Sequence, residues 1–305
     1  MSMQNKDWLC HILASITIVL WASSYVLTPY ALQSYSPTAL SLLRYMFGAA
    51  ALVIFGCIKR IGLPKLRDVP KFFLAGALGI TVYMVAYNIG AQTLSGTTCS
   101  VVLAMNPVFT AILSHFLFRE KIRFLGWVSI AIGFGGILIL TLWNGALSIN
   151  IGILWVLASA MLFSGYNITQ RQYSKDYTPL STAIYSIVAG AIMLFVFLPE
   201  LLPQLQAAPM EHTMIAAYLG LVPTAVGFVL WTLALSMASK TTIVSNYMFA
   251  TPLVSMVLNL LIAGTWPDTS TYVGGAVIIL SLILFSVFNK KAQPLPQVVS
   301  VKEKK

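Results

Sequence analysis

Charged residues are scarce in this chain. Only 9% of its 305 residues are charged, whereas 58% are apolar. Soluble globular domains carry about 25% charged residues, and disordered chains combine low hydrophobicity with high charge. Both classes are therefore excluded. A chain of this composition is expected to be a helical membrane protein, and at about 20 residues per span it has room for roughly ten helices.

Residue patterns for catalysis and metal binding are also missing. The three cysteines, Cys10, Cys57 and Cys99, are scattered without the close pairing of zinc or redox motifs. The chain has no HExxH, no GxSxG, no phosphate-binding glycine loop and no paired acids at membrane depth. We therefore expect no catalytic residue, no cofactor and no metal site. A membrane-embedded enzyme is disfavoured, and a non-transporting scaffold is an alternative for which no accessory signalling domain is recognisable.

Long charge-free stretches predict ten membrane helices. Ser95-Gly96-Thr97 divides one long apolar run and Asn144-Gly145 divides another, as turn residues do. The predicted helices, numbered 1 to 10, cover residues 8–28, 37–58, 72–93, 97–118, 124–142, 151–170, 180–198, 213–235, 241–263 and 270–288. The expected fold class is an all-α integral membrane protein.

Basic residues fall almost entirely on one side of this arrangement. Seventeen of the 18 Lys and Arg residues precede helix 1, follow helix 10 or lie in the connections 2–3, 4–5, 6–7 and 8–9. The opposite connections contain Glu200, Glu211 and Asp268, and no Lys or Arg. Because cytoplasmic connections are rich in Lys and Arg, we expect both termini to be cytoplasmic. The net charge of +10 then reflects topology, so no nucleic-acid partner is expected.

The two halves of the chain resemble each other weakly. A shift of 142 residues aligns Pro37 with Pro179, and a shift of 145 aligns Pro107 with Pro252. Other aligned pairs are Trp21–Phe163, Gly48–Gly190, Ala49–Ala191, Thr97–Thr242 and Ser100–Ser245. Since each repeat has five helices, an odd number, the second repeat must enter the membrane from the opposite side. Inverted repeats of this kind are typical of secondary transporters.

Several short segments resemble a known family. They are LWASS at 20–24, SP at 36–37, LRY at 43–45, NPVF at 106–109, FREK at 118–121 and TPLV at 251–254. These segments are similar to the EamA repeats of the drug/metabolite transporter superfamily, and the similarity covers about residues 8–288. We expect a first repeat at 8–142, a second at 151–288 and a disordered cytoplasmic tail at 289–305.

The resemblance has implications for the architecture. It implies ten helices, both chain ends in the cytoplasm and a central cavity lined mainly by helices 1, 3, 4, 6, 8 and 9. We accordingly expect a multi-pass protein of the bacterial inner membrane. One position departs from the family pattern. Thr265 stands where a glutamate often follows helix 9, as Glu120 follows helix 4, so a mechanism that needs both acids is not supported.

Arg44 is the only charged residue well inside a predicted span, about 10 Å deep at 1.5 Å per residue. A buried arginine normally has a partner, and no Asp or Glu lies at membrane depth. It either anchors a substrate carboxylate or phosphate or serves as a scaffold that donates to carbonyl oxygens at helix ends. Its aligned position in the second half is Ser186, so only one half carries the charge.

Aromatic and amide side chains are concentrated on the helices that the resemblance assigns to the cavity. The residues expected to bind solute are Trp21, Tyr25, Arg44, Tyr83, Tyr87, Asn88, Asn106, Tyr166, Asn167, Trp231, Asn246 and Tyr247. Rings and neutral amides suit small amphipathic solutes. The alternative is structural, since aromatic residues also occupy membrane interfaces and amides also join helices.

These features together favour a secondary transporter of small metabolites, with export of amino acids by alternating access as the first hypothesis. Its expected partners are a small-molecule solute and the lipid bilayer, and the sequence leaves the oligomeric state open. Nucleotide-sugar or other metabolite exchange is the alternative. A nucleotide sugar would call for several cations in the cavity, and only Arg44 is present.

Overall fold

The computed structural model describes residues 3–143, 150–173, 176–237 and 246–288. Within these ranges the chain is helical and has no β-strand. Nine of the described helices are long and apolar enough to cross a membrane, and the shorter apolar helix Tyr247–Ala263 accompanies them. The predicted class of helical multi-pass membrane protein is therefore confirmed. Residues 144–149, 241–245 and the predicted tail at 289–305 lie outside the described residues.

The described residues form ten helices, named α1 to α10 in chain order. Their bounds are Met3–Ala31 (α1), Pro37–Ile58 (α2), Val69–Ala91 (α3), Gly96–Phe118 (α4), Phe124–Leu142 (α5), Ile151–Tyr173 (α6), Pro179–Ala207 (α7), Met210–Met237 (α8), Asn246–Ala263 (α9) and Thr269–Phe288 (α10). We call the end that carries the α2–α3, α4–α5 and α6–α7 connections the basic end, and the other the opposite end.

The connection between α7 and α8 is more helical than predicted. We expected a loop between residues 198 and 213, but Leu198–Ala207 continues α7 as a helix. Pro199 lies in its first turn, where a backbone N–H has no intrahelical acceptor to lose. Glu200 in the same turn complements the helix dipole. The segment therefore stays helical and brings Glu200 to the start of α2, where it accepts a hydrogen bond of 2.7 Å from the Thr38 hydroxyl.

Helix contacts in the first half are repeated in the second. α1 packs against α8 and α9, and its counterpart α6 packs against α3 and α4. α2 contacts α7, and α5 contacts α10, each pair joining equivalent helices. This exchange of partners between halves places α1, α8 and α9 on one side of the molecule and α6, α3 and α4 on the other.

Two glycines, Gly76 and Gly220, make equivalent close contacts in the two repeats. α3 contains a π-helical turn at Ala77–Thr81 and α8 contains one at Gly220–Val226. A Cβ added to Gly220 would collide with the carbonyl oxygen of Arg44, and one added to Gly76 would lie 2.7 Å from the carbonyl oxygen of Ser186. Arg44 and Ser186 therefore hold equivalent positions, as the shift of 142 residues predicts.

Prolines interrupt α4 and α9 at equivalent places. α4 leaves helical geometry after Leu103 and resumes at Asn106, with Pro107 in the first turn of the new segment. α9 passes from a 3₁₀ segment into an α-helix at Thr251, with Pro252 in the first turn. Proline lacks the N–H that would continue the preceding helix. Both segments end in a left-handed residue, so the breaks are a shared feature of the repeats.

Candidate functional site

Arg44 extends from α2 to helices of both repeats. Its guanidinium is buried, with 7% of the residue exposed. Nε donates to the Thr224 hydroxyl on α8 at 3.2 Å, and a terminal nitrogen lies 3.9 Å from the Met84 sulfur on α3. Arg44 also lies 6.0 Å from the ring centre of Tyr45. Among the described residues, its neutral oxygen acceptor is thus the hydroxyl of Thr224, at the π-helical turn of α8.

No carboxylate neutralises Arg44 among the residues that the structure describes. Asp68 forms ion pairs with Arg67 at 3.9 Å and with Lys71 at 2.7 Å, at the basic end. An unpaired charge costs several kcal/mol, of order 3 in a membrane interior, unless a partner or water stabilises it. The guanidinium therefore retains N–H donors for an anionic ligand.

Three tyrosines on α1 and α3 lie near Arg44, and we call them the tyrosine cluster. Tyr25 and Tyr87 have ring centres 6.0 Å apart, and Tyr83 and Tyr87 are stacked at 6.4 Å. All three interact electrostatically with Arg44. The Tyr87 hydroxyl is buried and has no hydrogen-bond partner among the described residues. A phenol donor without an acceptor next to an unpaired cation suits an anionic oxygen.

A second aromatic group, the tryptophan cluster, lies on the α8 side. Trp21 has its ring centre 5.9 Å from Phe228 and 5.1 Å from Trp231. Its indole N–H donates to the carbonyl oxygen of Pro223 at 3.1 Å. Since the π-helical turn rearranges the usual i to i−4 bonds of α8, this carbonyl is free to accept from α1.

Aromatic contacts in the first repeat have counterparts in the second. Trp21 of α1 contacts Phe228 of α8, and its aligned residue Phe163 of α6 contacts Tyr83 of α3 with ring centres 5.0 Å apart. Phe163 in turn contacts Tyr166 at 5.4 Å. An aromatic surface therefore exists in each half, and Arg44 contacts both α3 and α8. Arg44, whose charge has no counterpart in the second repeat, therefore lies between helices of the two repeats.

The amides expected to bind solute are joined to protein groups. Asn88 Nδ2 donates to the Pro37 carbonyl at 3.1 Å and to the Ser41 hydroxyl at 3.0 Å, which ties α3 to α2. Asn106 Oδ1 accepts from Asn167 Nδ2 at 3.0 Å, which ties α4 to α6. These contacts correspond to the structural alternative, in which amides join helices.

Tyr247 lies apart from Arg44. Its hydroxyl is 2.8 Å from His11 Nδ1, and it packs beside Cys10 and Ala234. His11 and Tyr25 are fourteen residues apart on α1, which corresponds to about 21 Å along a helix. Tyr247 is therefore near the basic end, and the side chain of Asn246 lies outside the described residues.

Sequence reasoning missed two residues of this site. Thr224 is the neutral acceptor for Arg44, and Phe163 joins the tyrosine cluster to α6. The alignment of Phe163 with Trp21 was a signal for the second of these. Thr224 carries no signal beyond a hydroxyl next to Pro223, because its importance depends on contact with α2.

The fold and the site can now be compared with known proteins. A family model described as the EamA-like transporter family matches residues 8–142 and 150–287. The chain belongs to this family. An uncharacterized transporter of Bacillus subtilis, YdfC, is 31% identical over 278 residues, covering 90% of each chain. A probable terminal-alkyne amino-acid exporter of Streptantibioticus cattleyicolor is 30% identical over 274 residues, covering 89% of this chain and 91% of that protein.

A solved crystal structure shares the fold. It has a TM-score of 0.61 and 19% identity, and the match covers 92% of this chain and 97% of the other. Together with the family, this similarity makes the chain a multi-pass membrane protein of a transporter family built from two repeats.

Proposed function

We propose that this chain is a secondary transporter that exports small amphipathic metabolites, with amino acids as the favoured class. The observation that carries the proposal is Arg44, a buried cation without a carboxylate partner in the described structure, which lies near the tyrosine cluster of the first repeat and contacts Thr224 of the second. The name of the Streptantibioticus relative, an amino-acid exporter, supports the same substrate class.

The chemistry of the site suits a carboxylate with an apolar or aromatic attachment. The guanidinium offers planar N–H donors to two carboxylate oxygens, and the unpartnered Tyr87 hydroxyl offers one more. The rings of Tyr25, Tyr83 and Trp21 are half-buried and provide surfaces for the rest of the solute. An ammonium group of the solute would be stabilised over these ring faces.

The site also constrains coupling. Exchange of a proton for a cationic solute needs a carboxylate at membrane depth that binds either one in turn. Seven of the eight Asp and Glu residues of the sequence lie in connections, near helix ends or in the chain termini, and the eighth, Glu200, is exposed on the segment of α7 that reaches the start of α2. Facilitated diffusion or solute exchange is therefore the proposed mode, with both termini on the cytoplasmic side of a bacterial inner membrane.

Counterflow in proteoliposomes tests this function. The purified chain is reconstituted into vesicles loaded with a mixed amino-acid pool, and uptake of single labelled amino acids is measured with and without a proton uncoupler. We expect saturable uptake that survives the uncoupler and falls at least about tenfold in Arg44→Ala, since a charge-assisted contact is lost. Trp21→Ala should also reduce uptake, because an aromatic face is removed.

The matched control is Arg67→Ala, since Arg67 lies at the basic end with 81% of its side chain exposed. It should transport like the wild type. Absence of amino-acid uptake in vesicles that take up a solute through a control carrier would overturn the favoured class. Nucleotide sugars would then be tested in the same vesicles.

A further inference from the structure

A groove of 570 Å³ lies at the basic end, away from Arg44. Its walls come from the end of α2 and the following turn, the start of α7 and the second half of α8. The lining residues are Phe55, Lys59, Arg60, Ile61, Gly62, Thr178, Leu180, Ser181, Val229, Thr232 and Leu233. None of them belongs to the tyrosine or tryptophan cluster, so the groove is a separate site. Its volume is in the range of about 300–1,000 Å³ typical of small-molecule pockets.

The polar rim of the groove is suited to an anion. Lys59 and Arg60 are both exposed, and no lining residue is acidic. Thr178 caps the N-terminus of α7, a second positively polarised group at the same rim. Arg60 has a φ of 52°, a left-handed conformation uncommon for a side chain other than Gly or Asn. The turn is fixed by a hydrogen bond from the Tyr185 hydroxyl to the Gly62 carbonyl.

The remaining walls are mostly apolar and belong to helices long and apolar enough to span a membrane. Phe55 belongs to the span Pro37–Ile58, and Val229 and Leu233 belong to the span Met210–Ala234. Lys59 Nζ lies 5.9 Å from the Phe55 ring, which places a cation directly above the apolar wall. A ligand that fills the groove therefore needs an anionic head at the membrane surface and a hydrocarbon portion within the bilayer.

The groove exists because the two repeats differ here. In the first half, Asn88 of α3 closes the equivalent space by donating to Pro37 and Ser41 of α2. The shift of 142 residues aligns Ser41 with Ala183, and the shift of 145 aligns Asn88 with Leu233. The second half thus lacks both the amide and the hydroxyl, and α8 stands away from the start of α7.

We propose that this groove binds an anionic phospholipid from the leaflet at the basic end, with Lys59 and Arg60 on the phosphate and the apolar wall against an acyl chain. Basic pockets between helices on the cytoplasmic side are known binding places for anionic headgroups. The net charge of the chain and its concentration at this end favour an anionic lipid over a zwitterionic one.

Native mass spectrometry of the full chain in detergent tests the site. Phosphatidylglycerol and phosphatidylethanolamine of identical acyl chains are titrated, and the affinities are compared. We expect phosphatidylglycerol to bind more tightly, and the double variant Lys59→Gln/Arg60→Gln to lose about tenfold or more of that affinity because both cations leave the rim. The matched control is Lys65→Gln/Arg67→Gln, which removes the same charge from the same connection outside the groove.

A second variant separates the groove from the general charge of the surface. Leu233→Trp fills the apolar wall and keeps every cation, so it should also weaken phosphatidylglycerol binding. Circular dichroism checks that both variants keep the helix content of the wild type. Equal losses in the two double variants, or unchanged binding in both Lys59→Gln/Arg60→Gln and Leu233→Trp, would overturn the site. Displacement of the lipid by millimolar glycerol phosphate would show that the groove binds a soluble anion, and the proposal of a lipid ligand would then be wrong.

Discussion

Tyr87 and Tyr35 are both fully buried phenols, but their hydroxyl groups differ. The Tyr87 hydroxyl has no partner among the described residues, whereas the Tyr35 hydroxyl lies 2.6 Å from the Thr213 hydroxyl. A buried donor without an acceptor costs free energy, and in the proposed site the ligand supplies that acceptor. We therefore predict that the Tyr87 hydroxyl contributes to solute binding and the Tyr35 hydroxyl to stability.

Tyr87→Phe should therefore reduce solute affinity without reducing stability. A hydrogen bond to a charged carboxylate contributes about 1.5–3 kcal/mol, so we expect the apparent affinity to fall about tenfold or more. The melting temperature should stay the same or rise slightly, because no protein partner is lost. Both quantities are measured on one preparation, by counterflow and by thermal unfolding in detergent.

The control is Tyr35→Phe, which removes a hydroxyl of the same kind at the opposite end. It breaks the bond to Thr213, so it should lower stability by about 1 kcal/mol and leave affinity unchanged. If Tyr87→Phe lowers stability and affinity together, as a packing defect would, the assignment of Tyr87 to the solute site is wrong.

At the scale of elements, the π-helical turn of α3 depends on close contact with α7. A Cβ on Gly76 would lie 2.6 Å from the Gly190 nitrogen and 2.7 Å from the Ser186 carbonyl oxygen. Both are backbone atoms, so neither can rotate away. Gly135 on α5 has nothing within 4 Å of an added Cβ.

Gly76→Ala should therefore destabilise the fold by about 1–3 kcal/mol through overpacking, while Gly135→Ala should be neutral or slightly stabilising. Thermal unfolding of the two variants checks the difference, which is expected as a lower melting temperature in Gly76→Ala alone. Equal melting temperatures would show that α3 and α7 can move apart without loss of stability. The close packing of these two helices would then be wrong.

The same elements show which parts of the fold the sequence predicts. Helix positions follow from apolar runs, since each span must satisfy its own backbone in lipid. The π-helical turns do not follow, because they depend on glycine contacts between helices more than a hundred residues apart. The roles of the amide side chains do not follow from the sequence either. Asn88 and Asn106 can bind solute or join helices, and their partners Ser41 and Ser164 are 47 and 58 residues away.

The candidate site also has features that the sequence predicts and features that depend on three-dimensional packing. The association of Arg44 with Tyr25, Tyr83 and Tyr87 follows from their placement on helices that face one another, and the structure brings these residues together. The separation of Tyr247 from them follows from its position along α9 opposite the start of α1, which only the three-dimensional packing defines. Roles in solute binding stay predictions for all of these residues.

At the scale of the whole molecule, the two ends differ in how closely neighbouring helices pack. At the opposite end, Gly96 of α4 packs directly on the backbone of Tyr25 and Val26 of α1, and Asn88 ties α3 to α2. At the basic end, the groove separates α8 from α7. Under the proposed function, with two alternating states, this arrangement corresponds to a state closed at the opposite end, and we predict that the Asn88 hydrogen bonds are part of that closure.

Asn88→Leu should shift the equilibrium toward a state that is open at the opposite end. The change removes two hydrogen bonds between α3 and α2, worth about 1–3 kcal/mol together, and this is enough to change a two-state population about fivefold or more. Cys99 reports the shift. It is fully buried next to the tyrosine cluster, and Cys10 and Cys57 can be replaced by Ala and Ser. A membrane-impermeant maleimide added at the opposite end should label Cys99 faster in the variant.

The control for this experiment is Asn259→Leu, which removes the same chemical group at another place. Asn259 Nδ2 donates to the Thr265 carbonyl at 3.0 Å and to the Thr265 hydroxyl at 3.1 Å, so it fixes the end of α9 without joining α2 and α3. Its loss should cost comparable stability and leave Cys99 labelling unchanged. Faster labelling in both variants would indicate general loosening, and unchanged labelling in Asn88→Leu would show that the closure at this end does not depend on the amide.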